Sequence, residues 1–219
     1  MTLPASLSWR TARAELAALA AVALALPLRF LFRVEPFDPE APHPTPVVFV
    51  HGFLGDLTNF LVLRNFLAAR GIRNFSSFSY PPRINPQPLA FRLARTLEAV
   101  CTATGAKQVD VIGHSLGGLV ARSLIEIGEG HRVRRLVTLG APYYTNRVPE
   151  QELAIFAAND ALVPAPHPIY RPHGRTRVVP ECGHLGLLYH PTALREVARY
   201  LTRPVKSAAA PWLPSRAAA

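Results

Sequence analysis

The sequence is poor in cysteine, in lysine and in acidic residues. Its two cysteines, Cys101 and Cys182, fall in no Cys/His spacing that would hold a metal, so none is expected. Export would allow them to pair, but Cys101 lies late in an expected helix and Cys182 in a loop at the other end of the sheet. Two free thiols are therefore expected. Asp and Glu number 14 against 24 Lys and Arg, for a formal net charge of +10. The only lysines are Lys107 and Lys206, so the positive charge is almost all arginine. The arginines are scattered, and no basic run is interleaved with aromatics, which argues against a nucleic-acid reader. Such a surface could attract anionic lipid head groups or acidic polymers, but charge alone decides nothing.

A full-length membrane-spanning run is also missing. Arg10 and Arg13 precede residues 16–28, thirteen residues without a charge. As a helix they would cover about 20 Å, against a hydrocarbon core of roughly 30 Å. The length and basic flank suit a signal-peptide core, or a short anchor if Arg29 snorkels outward. The other reading is a helix that packs on a soluble enzyme. Residues 1–34 are accordingly taken as a signal or membrane-anchor segment, and export or membrane attachment is expected. Residues 35–44 are proline-rich and read as a linker. Residues 45–204 form the catalytic domain, and the Ala/Pro-rich residues 205–219 a disordered tail. Nothing before Thr45 is expected to carry chemistry.

Within the domain, short apolar runs alternate with helical periodicity. Strands are expected at 47–50, 74–80, 109–112, 133–139, 152–157 and 176–179. Helices are expected after Asp56 or Thr58, over 87–104, after Ser115 and over 191–201. This alternation predicts an α/β fold: a mainly parallel sheet of about six strands, covered by helices on both faces.

Three motifs fall at the carboxyl ends of strands, where open α/β sheets place their sites. The first is Gly113-His114-Ser115-Leu116-Gly117, a G-x-S-x-G pattern between strand and helix. It presents Ser115 on a tight bend as a nucleophile. The second is His51-Gly52-Phe53-Leu54-Gly55 after the first strand. The backbone N–H of Phe53, with that of Leu116, would face the oxyanion of a tetrahedral intermediate. The third is Cys182-Gly183-His184-Leu185-Gly186. Of eight histidines, His184 alone follows the last strand in the chain order Ser…Asp…His, which makes it the expected general base. Asp160, just past the fifth strand, is the favoured partner for His184, with Glu181 as the alternative.

These motifs resemble the α/β-hydrolase superfamily, and within it the small lidless bacterial triacylglycerol lipases and esterases. The similarity covers roughly residues 45–202. It rests on Val48–Gly52, on Val111–Gly118, on Val-Thr-Leu-Gly-Ala-Pro at 137–142 and on Gly183–Leu188. It implies a catalytic triad of Ser115, Asp160 and His184, oxyanion donors at Phe53 and Leu116, and no cofactor. The implied activity is hydrolysis of lipid or acylglycerol esters. One departure is Tyr143-Tyr144 after Pro142, where larger lipases usually carry histidine or glycine.

Only about a dozen residues separate Leu139 from Glu152, too few for the helical cap of a lidded lipase. Leu54, Tyr143, Tyr144, Leu162 and Leu185 would then line an open groove, and little interfacial activation is expected. The same site would also suit an acyltransferase or a deacylase of lipid-linked glycans. A non-catalytic binding protein on this fold fits the intact motif set less well.

Overall fold

Val47–Val50 is buried along its whole length and forms β1, the strand on which the sheet is built. In this computed structural model, which describes residues 9–27, 36–81, 85–143, 151–166 and 175–204, six strands form one sheet. They are β1, β2 (Phe75–Phe78), β3 (Val109–His114), β4 (Val133–Leu139), β5 (Glu152–Ala157) and β6 (Arg175–Val179). All pairings are parallel, in the order β2-β1-β3-β4-β5-β6. The helices are α1 (Trp9–Ala25), α2 (Leu61–Ala68), α3 (Pro86–Thr104), α4 (Leu116–Glu126) and α5 (Pro191–Thr202). The expected six-stranded parallel α/β architecture is therefore the observed one, and the described residues include no cap domain.

Alternation along β1 divides the core. Phe49 points to one side, where Phe60, Leu63 and Leu67 meet Leu194, Val197 and Leu201 of α5. Val48 and Val50 point to the other, against Leu89, Leu93 and Leu97 of α3 and Val120 and Leu124 of α4. The helix expected after Asp56 begins as a 3-10 turn, Leu57–Phe60, before α2. Asp56 caps that turn by accepting the Thr58 N–H at 2.7 Å. On α5, His190 is the N-cap and accepts the Thr192 N–H at 3.2 Å. The edge strand β6 carries the exposed Arg175 and Arg177, charges that discourage pairing with another chain.

The proline-rich stretch before β1 is packed rather than free. His43 bridges to Ile72, and its Nε2 lies 3.0 Å from Asp110 Oδ2 at the start of β3. Asn74 Nδ2 donates to the Asp38 carbonyl at 2.8 Å, and Asn74 Oδ1 accepts the Asp38 N–H at the same distance. Residues 205–219 lie outside the described residues.

Helix α1 also rests on the domain. Thr11, Ala18 and Ala25 are buried on one stripe, while Trp9, Leu16, Leu19 and Leu24 are exposed on the other. The usual amphipathic order is inverted here, with small and polar residues inward and large apolar ones outward. No helix among the described residues is long and apolar enough to cross a membrane. Cys101 and Cys182 are both buried free thiols.

Candidate active site

Ser115 sits between the end of β3 and the start of α4 with φ 53° and ψ −122°. A non-glycine residue at positive φ costs on the order of 1–3 kcal/mol and persists only where its surroundings enforce it. Here the Ser115 N–H donates to the Leu139 carbonyl at 2.8 Å. The helix that follows crosses β1 so closely that a Cβ on Gly117 would lie 2.0 Å from the Val50 carbonyl oxygen. Only glycine permits that crossing.

The upstream loop reaches the same point. A Cβ on Gly52 would come within 3.1 Å of both Ser115 Cβ and His114 Nδ1. Phe53 follows at once, and Leu116 opens α4, where the first N–H groups have no partner within the helix. His51 braces this loop. Its Nδ1 lies 2.8 Å from the Gly52 carbonyl, its ring stacks on Tyr80 at 4.2 Å, and the Tyr80 hydroxyl donates to the His51 carbonyl. Burial lowers the His51 pKa, and the ring acts as a neutral prop.

His184 Nδ1 lies 2.7 Å from Asp160 Oδ2, and both residues are buried. Because the carboxylate oxygen accepts, Nδ1 carries the proton and Nε2 keeps a free lone pair. Asp160 is itself fixed, its Oδ1 accepting the N–H groups of Leu162 at 2.9 Å and Val163 at 2.8 Å. Gly140 faces the imidazole: a Cβ there would stand 3.1 Å from His184 Nδ1. Leu139, which holds the Ser115 N–H, precedes Gly140 directly. Glu181, the alternative acid, is exposed and sits at φ 49°.

His114 lies beside this pair with ring centroids 4.9 Å apart, and its Nε2 donates to the His184 carbonyl at 3.3 Å. Burial first, and the neighbouring His184 second, pull the His114 pKa down to about 3. It is a neutral strut. The Cys182 thiol is pushed up to about 12 by burial and then by Glu15 and Asp160, which leaves it no nucleophilic character.

With this geometry in view, comparison with known proteins is informative. A family model for palmitoyl protein thioesterase matches residues 46–160, more than half of the sequence. The chain belongs to the palmitoyl protein thioesterase family. Several solved structures share its fold. Aspergillus fumigatus lipase B aligns with a TM-score of 0.59 at 14% identity, over 76% of this chain and 54% of that one. A CIB-like hydrolase from Thermoplasma acidophilum gives 0.56 at 14% identity, over 73% and 87%. An α/β-hydrolase enzyme from the metagenome of Mar Chica lagoon sediments gives 0.50 at 18%, over 71% and 89%. At those identities the likeness shows the α/β-hydrolase fold. Family and fold together make this thioesterase-family member a hydrolase of the ester-cleaving kind.

The expected groove residues divide. Leu54 and Leu162 are 76% and 75% exposed, and Leu185 is half-buried. Tyr143 packs its ring 5.6 Å from Phe156, with the Arg122 guanidinium 4.0 Å from its centroid. Tyr144 lies outside the described residues. Among the described residues, no group of three or more His, Cys, Asp or Glu side chains is arranged to hold a metal ion.

Two features escaped the sequence reading. Arg122 on α4 donates to Glu152 Oε1 at 2.7 Å, to Thr138 Oγ1 at 3.0 Å and to the carbonyls of Ala141 and Pro142 at 3.1 and 2.6 Å. That buried knot ties α4, β4, β5 and the loop after β4 together beneath the site. Arg122 stands about two helical turns from Ser115, a spacing that names no partner. The second feature is Glu15 of α1, whose carboxylate reaches the loop of His184. Nothing before Thr45 was expected to carry chemistry, and Glu15 bears on the site only by holding backbone N–H groups of that loop.

Proposed function

We propose that this protein is a serine hydrolase that cleaves acyl esters and thioesters of lipids through an acyl-enzyme on Ser115. The observation that carries the reading is the conjunction of Ser115 at a forced positive φ after β3 with a buried His184–Asp160 pair in the loops after β6 and β5. In this mechanism Ser115 Oγ attacks the acyl carbonyl while His184 Nε2 takes its proton. Asp160 keeps the imidazole in the required tautomer and stabilises the imidazolium that forms. The backbone N–H groups of Phe53 and Leu116 receive the oxyanion. His184 then returns the proton to the departing alkoxide or thiolate. Water, activated by the same imidazole, releases the fatty acid.

Family membership extends the sequence-based expectation of lipid esters to long-chain acyl thioesters. Exposed Leu54 and Leu162 supply apolar contact for such a chain. The membrane surface is the setting we propose for the reaction. The apolar outer stripe of α1 (Trp9, Leu16, Leu19 and Leu24) and the exposed Arg10 and Arg13 support this assignment. An interfacial helix binds through buried apolar area and through attraction of basic residues to anionic lipid.

The decisive experiment is a panel of p-nitrophenyl esters from acetyl to palmitoyl, together with an S-palmitoyl peptide, run on the wild type and on Ser115→Ala. Loss of about 10⁶-fold in kcat is expected for the variant, with loss of fluorophosphonate labelling. Near-normal hydrolysis by Ser115→Ala would overturn the assignment. Product analysis with added alcohol separates hydrolysis from acyl transfer.

A further inference from the structure

Glu15 is the one acidic residue of α1, and it is spent on the loop that carries His184. Its Oε2 accepts the Leu185 N–H at 3.0 Å and its Oε1 accepts the Gly186 N–H at 2.7 Å. These are the two peptide groups directly after His184. Both flanking glycines are shaped to the carboxylate. A Cβ on Gly183 would lie 2.4 Å from Glu15 Cδ, and one on Gly186 would lie 2.7 Å from Glu15 Oε1. Neither glycine has a positive φ, so a side chain at either position would act by displacing the Glu15 carboxylate, not by straining the backbone.

We infer that Glu15 is a positioning residue for His184, carried into the active site by the amino-terminal helix. The inference rests on the serine-hydrolase reading above. His184 is held on three sides. Asp160 takes its Nδ1–H, His114 donates to its carbonyl, and Glu15 gathers the two N–H groups that follow. The Asn159 N–H also donates to the Cys182 carbonyl at 3.0 Å, which fixes the loop on its other flank. A bond from a charged acceptor is roughly twice as strong as a neutral one. Two such bonds to consecutive peptide groups define both the position and the tilt of the segment. Thr11 Oγ1, one turn earlier on the same stripe, reaches Asn159 Oδ1 at 3.4 Å, beside Asp160. The helix thus touches the neighbour of each member of the His–Asp pair. Without Glu15, the loop is free to shift the imidazole relative to Ser115, and displacements on the order of 1 Å cost up to about 100-fold in rate.

The test is a double-mutant cycle in the full-length chain, read as kcat and KM on a soluble p-nitrophenyl ester, with thermal melts alongside. Glu15→Ala is expected to lower kcat by about 10- to 100-fold with KM within about 2-fold. Glu15→Gln keeps the volume and one acceptor but turns an amide N–H₂ on the other backbone N–H, so it should recover only part of that loss. Gly186→Ala should lower kcat by about 10-fold in the wild type but by less than about 2-fold in the Glu15→Ala background, because the methyl group then fills the vacated space. A kcat for Glu15→Ala within about 2-fold of wild type, or Glu15→Ala and Gly186→Ala losses that simply multiply, overturns the inference. Should Glu15→Ala not fold, unchanged kcat in both Glu15→Gln and Gly186→Ala overturns it equally. Ser115→Ala is run in parallel. If that variant stays active, the serine reading has failed; if it is dead while Glu15→Ala is unimpaired, only the role of Glu15 has.

Discussion

Asp160 and His184 meet at 2.7 Å, and the second oxygen of Asp160 is already committed to the N–H groups of Leu162 and Val163. The carboxylate therefore cannot rotate without breaking three hydrogen bonds, and the imidazole has one tautomer available. Asp160→Asn keeps the shape but presents an amide N–H₂ either to His184 or to the two backbone donors, and either choice is wrong. A fall in kcat on the order of 10⁴-fold is expected, with folding intact. Steady-state kinetics beside a circular dichroism spectrum checks this. A loss under about tenfold would remove Asp160 from the mechanism.

The approach of Gly117 to Val50 gives a structural prediction. Gly117→Ala would drive a methyl carbon to 2.0 Å from the Val50 carbonyl oxygen. Because the obstruction is backbone of the central strand, no side-chain rotation relieves it. Loss of soluble protein, or destabilisation of several kcal/mol in urea, is expected. A variant with wild-type stability and activity would show that α4 can pivot, contrary to the packing seen here.

The pH dependence of stability should carry the mark of His114. Its folded pKa is near 3, below the ordinary value of 6.5. As pH falls through 6.5 the unfolded chain takes up a proton that the folded chain refuses. Stability is therefore whole above about pH 6.5 and drains away towards pH 3, at up to about 1.4 kcal/mol per pH unit from this one group. His114→Gln keeps a donor for the His184 carbonyl and cannot titrate. Urea midpoints of the variant, measured from pH 7 to pH 4, should fall less steeply than those of the wild type. Parallel curves would rule out His114 as the source.

The knot of Arg122 and Glu152 predicts an asymmetry between single and double replacement. Glu152→Gln leaves a buried guanidinium without its counter-charge and should cost about 3–5 kcal/mol. Arg122→Met with Glu152→Leu removes both charges and should be markedly less destabilising than the sum of the single variants. Denaturant melts of the wild type, Arg122→Met, Glu152→Leu and the double variant measure the coupling directly.

Absence of a cap domain among the described residues bears on interfaces. Rate against concentration of a short-chain ester should rise smoothly through the solubility limit. A sharp increase there would mean that a buried site is being uncovered.

Much of this arrangement was legible in the sequence because its signals are local. Continuous apolar runs gave the buried strands. Gly113 and Gly117 around Ser115 announce a tight crossing. Asp160 was preferred over Glu181 because it follows a strand end, and the structure brings Asp160 alone to His184. What could not be read was pairing across distance. His43 stood in a stretch that looked like a bare linker because its partner, Asp110, is 67 residues away. Glu15 was hidden twice over. Its partners are backbone N–H groups, which leave no trace in a sequence. Its helix also turns its large apolar residues outward, so hydrophobicity pointed away from the docking face. Arg122 was invisible for a similar reason, since four of its acceptors lie on three other segments.

The contact between Glu15 and Gly186 also imposes an order of events in time. The acceptor is made first and its donors lie 170 and 171 residues later, so α1 cannot complete this contact until the loop carrying His184 has been synthesised. At 5–20 residues per second, that interval is on the order of ten to thirty seconds. Throughout it, the outward leucines and the inward carboxylate are both unclaimed. α1 is made well before the loop it binds, and its docking on Leu185 and Gly186 certifies that the loop carrying His184 has been completed.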